Sequence, residues 1–215
     1  MGTIKKGILG GFSGKVGNVV GASWKGVQYI RSLPSSVGNP KTAKQREQRT
    51  RFSLIAKFVR SILPVIQVGF ESLAGATNSA YGAAVSYNIH HATKGEYPDV
   101  EIDFPNAVIA KGALYGTDEM MVTREPGSLK MEWDPEASNN SSDTDGLMMV
   151  AYNPTRQKAI FDMNAATRAE GSGLLKLPSA WDDEDVETFA LFVDEYGKHV
   201  SDSIYTGKHE VNAGG

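Results

Sequence analysis

The chain has 215 residues, 40% apolar and 9% aromatic, enough to build a packed core and too much for a wholly disordered polymer. It has no cysteine, which excludes disulfides, thiolate metal sites and thiol nucleophiles. The net charge of −3 conceals a polarised layout, because twelve of the 22 basic residues lie before residue 61, where Glu47 is the sole acid.

The opening, MGTIKKGILGGFSG, offers only Ile8-Leu9 as an apolar run, too short for the core of a secretory signal. No apolar stretch reaches the roughly 18–20 residues that a membrane-crossing helix needs. The expectation is a protein that is cytoplasmic at synthesis, without membrane insertion. Gly7, Gly10, Gly11, Gly14, Gly17, Gly21 and Gly26 make this the most glycine-dense section. Gly10, Gly14 and Lys15 suggest a phosphate loop, but the spacing is one residue short of G-x-x-x-x-G-K-[ST], and Val16 follows the lysine. Nucleotide binding is rejected on that spacing. Residues 19–24 and 27–31 read instead as two strands joined by a Lys25-Gly26 turn. Such a pair either folds onto its own domain or joins a neighbouring subunit, since glycine weakens register and an open edge presents unpaired backbone groups.

A helix is expected from about residue 40 to 63. Asn39-Pro40 supplies one start, and Thr42 with Gln45 supplies a competing capping box. Phe52, Ile55, Phe58, Val59 and Ile62 recur at three and four residues and predict the buried stripe; Pro64 ends or kinks the helix. The first half, KTAKQREQRTR, is basic on several sides. Lys15, Lys25, Arg31, Lys41, Lys44, Arg46, Arg49 and Arg51 are therefore the candidate contacts for phosphate or for the acidic face of another copy. Residues 78–93 predict a second helix with Tyr81, Ala84, Val85, Asn88 and Ala92 on one side, antiparallel to the first. His90 and His91 are neighbours on that helix and point about 100° apart, which disfavours a shared metal.

Beyond Tyr97-Pro98 the texture changes to short apolar runs broken by turns. Strands are expected at 107–111, 120–124, 128–133, 147–152, 158–161, 174–177, 187–193 and 204–211, with Trp133 and Trp181 as core anchors. They suggest an antiparallel β-sandwich of immunoglobulin or fibronectin outline. Asp143 and Asp145 open like a calcium loop but lack its downstream glutamate, so 138–146 reads as a mobile hairpin tip. Asp182, Asp183, Glu184 and Asp185 form an acidic loop, whose sharper use is to receive a neighbour's basic arm. Adjacent acids on a loop are weak grounds for glycosidase chemistry. The expected class is α+β: a glycine-rich basic arm with a β-hairpin (1–38), a helical hairpin (39–97) and an acidic β-sandwich (98–215).

The stretches GGFSGKVGNVVGASWKGVQYIRSLP, KTAKQREQRTRFSLIAKF, AAVSYNIHHATKGEYPDVEIDF and VSDSIYTG together resemble an uncharacterised Bacteroidota family of proteins of about this length. Gly11, Phe12, Gly14, Lys15, Gly17, Trp24, Arg31 and Pro34 carry its opening motif. The resemblance implies a bacterial or bacteriophage origin and transfers no activity and no catalytic residues. The leading expectation is a non-enzymatic, self-assembling structural protein of a phage-like virion or filament, with other copies of itself as partners and no cofactor. The alternative is a nucleic-acid-binding protein that uses the arm and the helix at 40–60 on DNA or RNA. A hydrolase ranks last, since motif spacing assembles no nucleophile, base and orienting group.

Overall fold

The computed structural model describes residues 2–4, 10–24, 26–36, 42–75, 78–138 and 140–210, so Lys25, Lys41 and the Asn39-Pro40 start lie outside the described residues. Two units divide the chain, Met1–Thr42 and Ala43–Gly215.

In the first unit, β1 (Thr3–Ile4), β2 (Phe12–Val16), β3 (Val19–Trp24) and β4 (Val27–Ser32) form an antiparallel sheet in chain order. Two strands were expected and four are present among the described residues, because glycine-bearing β2 pairs with β1 on one side and β3 on the other. Its turn into β3 spans two residues and contains Gly17 at φ +56°, a conformation glycine adopts without steric cost. At Gly21 a Cβ would lie 2.1 Å from the Phe12 carbonyl oxygen, so β2 and the Phe12 ring come close only because that position is bare.

In the second unit, α1 (Ala43–Ser61) begins directly after Thr42 and is followed by α2 (Leu63–Gly69) and α3 (Ala80–His91). Pro64 stands in the first turn of α2, where its missing N–H costs nothing, and the axis bends by 89° between α1 and α2. Ile55, Phe58, Val59 and Ile62 are fully buried, whereas Phe52, expected in the same stripe, is 50% exposed. The core beneath α1 thus starts one turn later than the periodicity alone implies. Ser79 caps α3, its Oγ accepting a hydrogen bond from the Gly82 N–H at 3.1 Å.

The strands that follow are β5 (Thr93–Lys94), β6 (Glu101–Ile102), β7 (Met120–Glu125), β8 (Ser128–Trp133), β9 (Gly146–Asn153), β10 (Lys158–Thr167), β11 (Ser172–Lys176), β12 (Val186–Val193) and β13 (Ile204–His209). They form a four-stranded sheet, β10-β9-β12-β13, a three-stranded sheet, β11-β8-β7, and the short β5-β6 ladder, all antiparallel. β9 and β12 lie at the centre of the larger sheet and are buried along their whole length. On one face Leu147, Met149, Ala190 and Phe192 pack with Leu129, Met131, Trp133 and Trp181. On the other, Met148, Val150, Phe189 and Leu191 pack with Ile55, Phe58, Ile66 and Val85 of the helices. Burial on both sides explains why 147–152 and 187–193 are nearly continuous apolar runs. Segments 39–97 and 98–215, expected as separate domains, therefore contribute to one core. The class is α+β.

Residues 107–111 are not a strand. Their backbone groups are bonded to side chains and to other irregular backbone: Asn88, buried on α3, bonds both the N–H and the carbonyl of Val108 at 2.9 and 2.8 Å. The Ile109 N–H donates to Ser203 Oγ, and the Lys111 N–H to the Gly69 carbonyl. With its donors and acceptors met in this way, the segment needs no ladder.

Candidate functional site

The first candidate is the edge of the first unit's sheet. β4 is its last strand, and all six of its residues are exposed, with Val27 at 67% and Ile30 at 63%. Lys15, Val20 and Arg31 pair directly across β2, β3 and β4, so two cations flank Val20 on one face.

On α1, Lys44, Arg46 and Arg49 are exposed, as the basic-helix expectation requires. Arg51 is tied down within its own unit. Its guanidinium donates to Thr93 Oγ1 at 2.6 Å and to the Gly95 carbonyl at 2.8 Å, and it pairs with Glu47 at 3.0 Å. Arg51 fastens α1 to the β5 end of the small ladder, a role for which its basic neighbours gave no sign.

The acidic loop is largely answered from within the same unit. The Glu184 carboxylate accepts from Arg156 Nε at 2.5 Å and Asn153 Nδ2 at 2.6 Å, and the Arg156 contact chiefly holds its pKa below the usual range. Asp185 pairs with Lys208 at 2.8 Å. Arg124, reaching from β7, donates to the carbonyls of Trp181, Asp182, Glu184 and His209 and so fixes the loop backbone. Asp182 and Asp183 are the members of the cluster that stay exposed. The tip at 138–146 is likewise more anchored than expected, because Asp145 is buried against Arg168 at 3.3 Å.

A cavity of about 530 Å3 opens at the end of the larger sheet, walled in part by Leu54, Ile102 and Phe104. Its floor is one cross-strand row: Tyr152 on β9, Glu187 on β12 and Lys208 on β13, each paired with the next. The Tyr152 ring is wedged edge-on against Phe58 at 5.0 Å and tilted against Phe104 at 5.6 Å, contacts worth about 0.5–1.5 kcal/mol each beyond burial. Burial pushes the Tyr152 phenol up to about 12, so it stays a neutral donor and acceptor at physiological pH. Glu187 is 6% exposed; Tyr205 Oη donates to its Oε2 at 2.6 Å. Burial raises this carboxyl above its ordinary range, with the Tyr205 bond opposing. Of the candidates named from sequence that are among the described residues, only Asp185 lines this cavity. Tyr152 and Glu187 could have been noticed as polar ends of apolar runs, but nothing in their spacing joins them.

One protein-family model spans residues 11–207, which takes in strands β2 to β4 of the first unit and nearly all of the second. The chain belongs to DUF6266, a family of unknown function. No curated protein and no solved structure matches it. In this DUF6266 chain the described residues bring together no group of three or more His, Asp or Glu that could hold a metal, and no single helix among them is long and apolar enough to cross a membrane. His90 and His91 are exposed on the last turn of α3, where the His91 ring tilts against Tyr87 at 4.5 Å.

Proposed function

We propose that the protein is a non-enzymatic, self-assembling structural component, of the kind that builds a phage-like particle or filament, and that its arm sheet joins one copy to the next. The observation that carries this reading is the β4 edge, exposed at every residue and apolar at Val27, Tyr29 and Ile30. An open strand of that character is a template for pairing with another chain. Charge supports a second copy as the partner. Residues 1–42 hold six basic side chains and no acid, while all 25 acids of the chain fall in 43–215. A contact between unlike surfaces is heterologous and propagates into rings or filaments. In this reading the glycine-rich β3–β4 hairpin is the arm. The two facing sheets of the body form its sandwich, of immunoglobulin or fibronectin outline, which the core between β8, β9, β11 and β12 supports.

Sedimentation and negative-stain microscopy across a concentration series test it. Wild type should form large assemblies that loosen with salt, and the double variant Val27→Lys, Ile30→Lys should remain small with the body's thermal transition intact. A wild-type monomer at every concentration overturns the reading.

A second reading rests on the exposed Lys44, Arg46 and Arg49 at the start of α1. If these bind DNA or RNA phosphates, affinity should fall steeply with salt, and the reversal Arg46→Glu with Arg49→Glu should abolish it. Binding unchanged in that variant removes the site.

A further inference from the structure

We infer that the cavity floored by Tyr152 and Glu187 is a binding site for a small organic ammonium ion bearing an apolar or aromatic group. This goes beyond the assembly reading and does not depend on it. Two independent observations converge. The first concerns charge. Among the basic groups on the cavity wall, Lys208 is bridged by Asp185 at 2.8 Å and by Glu210 at 3.1 Å. Lys94 stands directly across the β5–β6 ladder from Glu101. Glu187 has the Tyr205 hydroxyl, but among the described residues no basic side chain forms an ion pair with it. Lys208 and Lys94 ease the burial of this carboxyl through their charge, but neither is in ion-pair contact with it, so its outer face is left for an ammonium group that donates to it directly.

The second observation is Tyr152. It is 2% exposed, yet among the described residues no group hydrogen-bonds its hydroxyl, although every fully buried side-chain nitrogen and oxygen among them has a partner. The hydroxyl must therefore reach open space, and the space that Tyr152 lines is this cavity. Glu187 and Tyr152 are direct cross-strand neighbours on the same face, so one ammonium nitrogen can donate to both. The aromatic rings of Tyr152 and Phe104 add an attractive face for a cation. Leu54 and Ile102 leave an apolar wall for the rest of the molecule, and the volume lies within the roughly 300–1,000 Å3 usual for small-molecule sites.

Calorimetric titration of the full chain with phenethylamine, 2-phenylethanol and phenylacetate separates the possibilities, because the three differ only in the group offered to Glu187. Phenethylamine should bind, the alcohol more weakly, and phenylacetate not at all. Glu187→Gln, which keeps an acceptor for Tyr205, should weaken phenethylamine by roughly tenfold or more, and Tyr152→Phe by a smaller factor. Nuclear magnetic resonance shifts should cluster at the facing ends of β9, β12 and β13. Failure of phenethylamine to bind, a preference for phenylacetate, or equal binding by Glu187→Gln would overturn the assignment. The comparison of the three probes on wild type stands even if a variant fails to fold.

Discussion

Arg168 is fully buried, and its charge is met by Asp145 at 3.3 Å, by the carbonyls of Tyr115 and Gly116 at 2.7 and 2.5 Å, and by the Phe192 ring at 4.0 Å. Removing the cation while leaving Asp145 strands a carboxylate and two carbonyls in the interior. Arg168→Met should therefore destabilise by about 3–5 kcal/mol despite preserving apolar bulk, measured by urea unfolding. A loss below about 1 kcal/mol would mean that water reaches the site. Nothing local in the sequence marks this pair, because its members are 23 positions apart and Asp145 sits in a run of polar residues that reads as a surface tip. Glu187 supports a different test. Since burial raises its pKa, the folded protein holds this proton more tightly than the unfolded chain does. The resulting stability is full below the ordinary carboxylate range and fades as pH rises through the raised value. Compared with Glu187→Gln, wild type should lose relative stability as pH climbs above the ordinary carboxylate range. A pH-independent difference between the two melting series would contradict it.

Among the elements, the helices and most strands were legible because period and punctuation agree: Pro64 falls at the bend between α1 and α2, Ile55, Phe58 and Val59 recur on the buried side of α1, and 128–133 alternates with the inward Leu129, Met131 and Trp133. Residues 107–111 misled for the converse reason. Their apolar run is buried like a strand, but Asn88 and Ser203 supply the backbone contacts that a ladder would have made, and only coordinates reveal such side-chain substitutes. Gly69 is the element-scale consequence. A Cβ there would lie 2.5 Å from the Ile109 carbonyl oxygen and 2.7 Å from Ala110 Cβ. Alanine is the better helix former by about 1 kcal/mol, but overpacking against backbone costs about 1–3 kcal/mol, and backbone cannot swing aside. Gly69→Ala should thus lower the midpoint of thermal unfolding; an increase would mean that 107–111 yields easily.

For the whole molecule, the sequence showed the uneven charge and the change of texture near residue 98, but not that helices and strands share a core, since contacts between distant segments leave no mark in composition. Both hydrophobic clusters draw their buried members from residues 55–200. A chain of residues 43–215 should accordingly unfold in one cooperative transition near that of the full protein, while losing the tendency to assemble. Calorimetry together with light scattering checks both halves, and a molten truncation would show that the first unit is needed for folding.

β9 and β12 have a packed neighbour above and below at nearly every position. Ordinary half-buried strands accept alternate residues freely and so drift in sequence on their wet side; these two have no wet side. Evolutionary change along them must come through paired, size-compensating exchanges between layers, leaving the cavity end, at Tyr152 and Glu187, as the place where a relative could vary its chemistry without repacking its interior.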